Sequence, residues 1–449
     1  MRDVNAIGCD LGVGTVRRAG TLDRMDAVRV RPGGPLSGTI KVSGATKNSG
    51  LKQLAAALLA SGVTHVQNLP RVRDLDIMLD VLRAVGATVE WTGEDELTLD
   101  TSGPLQPEAP YELVRQMRAS INVLGPLLAR CGEARVALPG GDNIGSRRLD
   151  MHIRGLESMG AEITVEHGYV SAQCRALCGA RIVLDFPSVG ATENLLTAAV
   201  LAKGETVIEN AAREPEITDL TAFLNRMGAH VIGAGTNTIT VEGVTELVSA
   251  DTQIMGDRIE AGTFLMACGI AGGEIELVGV RLEHLEMVGV KLGEMGMRVA
   301  STPNGIWAQC IEPMRAVDIQ TLPYPGFATD FMPMAVAALA VSEGTGIVTE
   351  NVFDNRLSFV EELARMGADI RHEGRHAVVR GRARLSGAPV RAMDVRAGAA
   401  LALAGMRADG ETTIDDWFHV DRGYPDLVGA LTSLGADIER VDGPGEQVG

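Results

Sequence analysis

The chain has 449 residues, enough for two or three domains with a full core each. Hydrophobic residues make up 45% and charged residues 22%, a globular balance, while aromatics reach only 3% and glycines number 54, so an aliphatic core and many turns are expected. A net charge of −17 argues against non-specific nucleic-acid binding but leaves room for an anionic small substrate held by a local cluster of Lys and Arg.

Residues 1–24 show no period, and Asp3, Asp10 and Gly12 interrupt any signal-like apolar run. They read as a disordered extension of a cytoplasmic protein or as an upstream start, with Met25 close before the first strand-like run, AVRVRP. The tail from about Gly443 reads as loose too. No apolar run approaches the ~18 residues of a membrane span. The six cysteines (Cys9, Cys131, Cys174, Cys178, Cys268, Cys310) are thinly spread. Cys174 and Cys178 form a lone C-x3-C pair, so buried free thiols are expected rather than a zinc site.

Along the chain one phrase recurs six times, apolar-x-x-apolar-Gly followed by a strand: LRAVGATVEW, LESMGAEITV, LNRMGAHVIG, LGEMGMRVAS, LARMGADIRH and LTSLGADIER. Its glycines are Gly86, Gly160, Gly228, Gly296, Gly367 and Gly435, spaced 74, 68, 68, 71 and 68 residues apart. A second phrase keeps the same period, from LLASGVTHVQN to RADGETTIDDW. Each unit therefore reads as loop, buried helix, Gly stop, strand, loop, amphipathic helix, Gly stop, strand, strand. In the amphipathic helix DLTAFLNRMGA, Leu220, Phe223, Leu224 and Met227 share one face. In ADIRHEGRHAVVRG the two strands are expected to turn at Glu373–Gly374. Six such units suit one ring or two lobes of three. Two lobes fit an enzyme that closes on its substrate. A six-unit clamp or scaffold is the non-enzymatic alternative, and it would want a basic bore.

The informative charges gather where loops enter the buried helices. These are SGATKNSG (Lys47, Asn48), VRQMRAS (Arg115, Arg118), FPSVGATEN (Ser188, Gly190, Thr192), MGDRIEAG (Asp257, Arg258), GFATDFMP (Asp330) and AMDVRAGA (Asp394, Arg396). Helix N-termini offer free N–H groups and positive dipole ends to phosphate or carboxylate. Lys47, Arg118, Arg147, Arg356, Arg396 and Arg422 together would make a strong anion pocket. The glycine-rich stretch ALPGGDNIGSRRLDMH is no Walker A loop, and its single acid, Asp142, among Gly140, Gly141 and Gly145, suggests a mobile lid delivering a proton donor.

At these residues the chain resembles the UDP-N-acetylglucosamine 1-carboxyvinyltransferases. PGGD-x-IGSR, SVGAT, ENAAREPEI, DRIEAGTF, TENVFDNR and H-x-DRGYPDL occur in family order over about residues 27–441. The resemblance implies an α/β fold, a two-lobed inside-out α/β barrel of six units of about 70 residues, three per lobe. The lobes would be residues 47–255 and, discontinuously, 25–46 with 256–449. It implies transfer of the enolpyruvyl group of phosphoenolpyruvate to the sugar 3-hydroxyl, the first committed step of peptidoglycan synthesis, with no metal or organic cofactor. The implied partners are those two substrates, with no nucleic acid and no membrane. Carried over, Lys47, Arg118, Arg147, Arg356, Arg396 and Arg422 hold phosphate and carboxylate groups. Asn48 and Asp330 contact the reacting hydroxyl, Asp394 lies in the reaction centre, and Leu149, Asp150, Ser188, Val189, Gly190 and Val352 line the nucleotide-sugar site. Asp142 takes the loop position where many members carry the cysteine that the epoxide fosfomycin alkylates, so resistance to that drug is implied. Three positions depart from the pattern: Thr46 is an extra residue in G-A-T-K-N, Phe186 replaces a lysine and Asn122 a tryptophan. These leave another nucleoside acceptor open, with shikimate 3-phosphate disfavoured by the nucleotide-side motifs.

Overall fold

The computed structural model describes residues 27–140, 144–145 and 149–443. The expectations for residues 1–24, for the tail beyond Gly443, for Asp142 and for Arg147 lie outside the described residues.

The repeated phrase becomes a repeated sheet. Six four-stranded sheets share one strand order, an edge strand paired parallel to its neighbour and then two antiparallel pairings. In the first, Thr252–Gln253 runs parallel to Val63–Gln67, which pairs antiparallel with Leu97–Asp100, itself antiparallel to Thr88–Trp91. The last sheet takes its third strand from the other end of the chain: Ala27–Arg31 lies between Thr412–Asp415 and Asp437–Val441. The result is an α/β protein of mixed open sheets. All six phrase glycines have positive φ, between 81° and 103°, so each amphipathic helix stops on a left-handed residue. Leu220, Phe223, Leu224 and Met227 are all buried, as their spacing predicts. The hairpin expected at Glu373–Gly374 turns one residue later, because Glu373 pairs with His376 and leaves Gly374–Arg375 as the loop, with Gly374 at φ 58°.

The buried hydrophobics divide into two clusters. One is built from residues between Ala45 and Ile254. The other uses Val28–Val42 and residues from Ile259 to Ile438. At the centre of the first pack the helices Leu51–Ala56, Leu124–Cys131 and Val189–Ala199, with short 3-10 turns beside them. At the centre of the second, Arg258–Ala271, Met332–Ala340 and Val395–Gly405 pack on one another. The chain crosses between clusters twice, and the crossings pair with each other. Ala45 donates to the Met255 carbonyl at 2.8 Å and Asp257 to the Ser43 carbonyl at 2.8 Å, around an antiparallel bridge of Gly44 with Gly256. Both must be glycine for steric reasons: a Cβ would stand 1.8 Å from the Asn68 carbonyl oxygen at Gly44 and 2.1 Å from that of Gly279 at Gly256.

The thiols do not all follow expectation. Cys268 and Cys310 are buried, but Cys131 and Cys178 are exposed and Cys174 half-buried. Cys131 is the last residue of its helix, and the left-handed Gly132 turns the chain out beside it, so a position inside an apolar phrase still reaches solvent.

Candidate active site

The extra residue Thr46 is accommodated by a local change of helix pitch. Thr46–Gly50 forms one wide turn in which Gly50 donates to the Ala45 carbonyl five residues back at 3.0 Å, while Ser49 donates to the same oxygen at 2.8 Å. Such a π-turn is the form a one-residue excess takes in a helix. Thr46 is buried and donates to the Pro70 carbonyl at 2.9 Å.

That turn aims Lys47 at a cluster drawn from both halves. Lys47 Nζ lies 2.9 Å from Oδ2 of Asp74, a fully buried carboxylate on the helix Arg73–Ala84. Arg422, from the other half, puts Nε 2.8 Å from Oδ1 of the same Asp74 and reaches the Gln116 carbonyl at 3.5 Å. Near them, Asp330 Oδ1 accepts from Arg356 Nη2 at 3.1 Å and lies 3.6 Å from Arg396 Nε. Both arginines are buried, and Nε of Arg356 and Nη1 of Arg396 have no hydrogen-bond partner. A buried guanidinium N–H without a partner is costly, so these two donors suit an anion delivered from solution. Gly423 joins the two groups: a Cβ there would stand 3.6 Å from Lys47 Cδ and 3.7 Å from Arg396 Nη1.

Electrostatics follow from this crowding. Burial works to raise the Asp330 carboxyl, but Arg396, then Arg356 and Lys47, outweigh it and hold the group below its usual range. It is therefore ionised, and its side chain keeps 38% of its accessibility, so solutes can reach it. Tyr424 is buried under the Arg396 guanidinium, 5.0 Å from its ring, and its hydroxyl bonds Thr263 at 2.7 Å. Asp394 caps the helix Val395–Gly405, accepting from the amides of Arg396 at 2.8 Å and Ala397 at 3.1 Å, which fixes the backbone that presents Arg396. Asp257 does the same for Ile259 and Glu260 at the start of Arg258–Ala271. Val352 donates its amide to Glu350 Oε1 at 2.7 Å in the loop leading to Arg356.

A second group forms on the first half. Ser188 caps the helix Val189–Ala199 through the Ala191 amide at 3.3 Å, and a Cβ on Gly190 would meet the His152 ring at 3.5 Å. His152 is buried and bonded to Asn194 at 3.0 Å. Burial, with help from nearby Arg118, pushes its imidazole down to about 4. Leu149 and Asp150 start the adjoining helix Asp150–Ser158, with Asp150 paired to Arg154 at 3.2 Å. Thr192 accepts the Ala212 amide at 3.0 Å inside the same wall. Arg115, singled out alongside Arg118, points away instead and pairs with Glu112 on the surface at 2.9 Å.

Reasoning from sequence missed Asp74, Lys52, Glu193 and the fully buried ion pair of Arg258 with Glu216 at 2.9 Å, which joins the halves beside the crossings. One signal was there to use: Glu193 and Asn194 are polar residues in the middle of an otherwise apolar helix. Asp74, in RVRDLDIM, looks like any surface acid.

The chain matches the family described as EPSP synthase (3-phosphoshikimate 1-carboxyvinyltransferase) over residues 30–431. It is 53% identical to the UDP-N-acetylglucosamine 1-carboxyvinyltransferase of Corynebacterium jeikeium (strain K411), covering 93% of this chain and 99% of the relative. It is 51% identical to the same-named protein of Mycolicibacterium paratuberculosis (strain ATCC BAA-968 / K-10), covering 92% and 99%. Among solved structures, the enolpyruvyl transferase NikO from Streptomyces tendae superposes with a TM-score of 0.84 at 27% identity, over 93% of this chain and 99% of that one. The fold and site define an enolpyruvyl-transferase-type α/β protein. The chain belongs to the EPSP synthase family and, within it, to the UDP-N-acetylglucosamine 1-carboxyvinyltransferases.

Proposed function

We propose that this chain adds the enolpyruvyl group of phosphoenolpyruvate to the 3-hydroxyl of UDP-N-acetylglucosamine with release of phosphate. The observation that carries the reading is the pair of buried arginines, Arg356 and Arg396, converging on the ionised Asp330 with one guanidinium nitrogen each unpartnered. Identity of 53% to a relative of that name, against 27% to NikO, favours the nucleotide-sugar acceptor.

In this reading the hydroxyl oxygen bonds to C2 of phosphoenolpyruvate as a proton adds at C3. Phosphate then leaves C2 as a C3 proton is lost. Asp330 holds the hydroxyl and accepts its proton. The arginines that keep it ionised make it a weak base, so its proton transfer comes late, with C–O bond formation well advanced. Asp142 supplies the acid, Asp394 steadies positive charge at C2, and Lys47, Arg118, Arg147, Arg356, Arg396 and Arg422 neutralise phosphate and carboxylate. Asn48 contacts the sugar hydroxyl, while Leu149, Asp150, Ser188, Val189, Gly190 and Val352 line the nucleotide side. The lobes in this reading are residues 47–255 and, discontinuously, 25–46 with 256–449, each an inside-out barrel of three units that closes on substrate; the separation of the buried hydrophobics into two clusters supports it. The product commits the sugar to peptidoglycan, in the cytoplasm. Among the described residues no helix is long and apolar enough to cross a membrane.

The test is phosphate release and product mass when phosphoenolpyruvate is mixed with UDP-N-acetylglucosamine, with other UDP-sugars and nucleosides, and with shikimate 3-phosphate. Turnover with the first alone is expected. Turnover only with another acceptor replaces this reading, and none with any acceptor removes it. Arg118→Ala, Arg147→Ala and Arg422→Ala should each lower kcat/KM at least ~10-fold, the loss of a charge-assisted hydrogen bond. Asp142→Cys should stay active and gain time-dependent inactivation by fosfomycin, which spares the parent because a carboxylate opens the epoxide less readily than a thiolate.

A further inference from the structure

Behind the wide turn lies a buried polar chain that the reaction scheme does not use. Lys52 sits one residue into the helix Leu51–Ala56, with its side chain only 12% exposed. Its ammonium donates back to the carbonyls of Lys47 at 3.4 Å and Asn48 at 3.2 Å. Its remaining contact is Oε1 of Glu193 at 3.4 Å. Of the three ammonium donors, two are hydrogen-bonded to these carbonyls and Glu193 supplies the counter-charge as an ion pair. Glu193 is itself buried in the helix Val189–Ala199, and its Oε2 accepts from Asn122 Nδ2 at 2.8 Å. Asn122 is buried too and belongs to the turn Arg118–Val123, which begins with another of the proposed anion ligands.

We infer that Lys52 is a positioning residue: anchored by Glu193 and Asn122, it fixes the carbonyls of Lys47 and Asn48 and so sets where the π-turn aims those two side chains. Three observations lead there. A turn with one residue too many has a looser hydrogen-bond pattern than an α-helical turn, and needs an outside restraint to hold one geometry. The restraint present grips the two residues proposed to touch substrate. And a buried ion pair is a poor device for stability alone, since removing both charges from water costs about as much as their attraction returns. Burial pushes the Glu193 carboxyl up, while Lys52 and then Asn122 act to bring it down, so the pair depends on both partners staying in place.

The inference rests on the proposed function for its kinetic arm and is independent of it for its exchange arm. Parent, Lys52→Met, Glu193→Gln and the double variant are compared for kcat and KM with both substrates, for Tm, and for hydrogen exchange of peptides spanning residues 44–54. Lys52→Met should lower kcat at least ~10-fold, with KM for the nucleotide sugar changed less than ~3-fold. It should also speed exchange at the amides of Ser49, Gly50 and Leu51. Each single variant should melt lower than the parent, and the double variant should recover most of that Tm as the uncompensated charge disappears. Its kcat should stay low. A double variant that regains kcat together with Tm would overturn the inference, because the pair would then be structural only. So would parent-like exchange in Lys52→Met. If the parent itself releases no phosphate, the functional reading fails, and the exchange result alone decides the role of Lys52.

Discussion

Two central helices, one from each half, are made differently. In Met332–Ala340 every residue is apolar and buried. Val189–Ala199, buried from Ala191 on, carries Thr192, Glu193, Asn194 and Thr197, each with a hydrogen-bond partner: Ala212, Asn122, His152 and the Glu193 carbonyl. The first of these helices relies on shape alone, and the second on shape plus a polar network. Shape can be met by many side chains of similar volume, whereas a network specifies partners one by one. The networked helix lies in the half that presents the Lys47 turn and the Ser188–Gly190 wall. Geometry near those elements is therefore written in hydrogen bonds, not in packing.

The comparison breaks if removing one network member is harmless. Glu193→Ala leaves Lys52 buried without its counter-charge and should destabilise by ~3–5 kcal/mol in urea unfolding. Leu339→Ala, in the apolar helix, opens a cavity and should cost about 3 kcal/mol. Acid and alkali sharpen the contrast further. His152, held near 4 against an ordinary 6.5 by burial and Arg118, lends stability that is full above pH 6.5 and fades as pH falls toward 4. His152→Gln should flatten that acid limb in a plot of Tm against pH. Glu260, in the other half at the crossing, runs the opposite way. Burial, then Asp257, raises it to about 8, although Ser43 donates to both its oxygens and Arg396 acts against the shift. Its contribution is full below pH 4.5 and is lost as pH rises toward 8, so parent should fall relative to Glu260→Gln over that window. The smallest effect belongs to Met334→Leu, a volume-conserving swap inside Met332–Ala340, expected to cost under ~1.5 kcal/mol.

Legibility in the sequence follows the same division. The repeat could be read because each unit's second helix needs a left-handed stop, and only glycine takes φ near 80–100° without strain, so Gly86 and its five counterparts mark the period. The cations could be read because Lys47, Arg118 and Arg396 recur at equivalent loops. What was hidden is pairing over distance. Asp74 meets Arg422 across 348 positions, and Lys52 meets Glu193 on another unit, so neither acid announces that it is buried. Nor could the π-turn be foreseen, since an extra residue can be absorbed as a bulge, a loop or a register shift. Thr46 takes the first course because its hydroxyl finds the Pro70 carbonyl.

The paired crossings at Gly44 and Gly256 also govern the order in which the chain can fold. Ser43 and Glu260 lie 217 positions apart yet share two hydrogen bonds, and Leu36–Lys41 pairs in parallel with Gly273–Val278 across the same gap. Closing so long a loop from a disordered chain is slow and entropically expensive. Once the stretch from Ala45 to Ile254 has folded around its own core, its two ends emerge side by side, and the remaining closure is short. On the ribosome the stretch from Ala45 to Ile254 is complete before most of Ile259–Ile438 has been made, which lets it serve as the template for the second core.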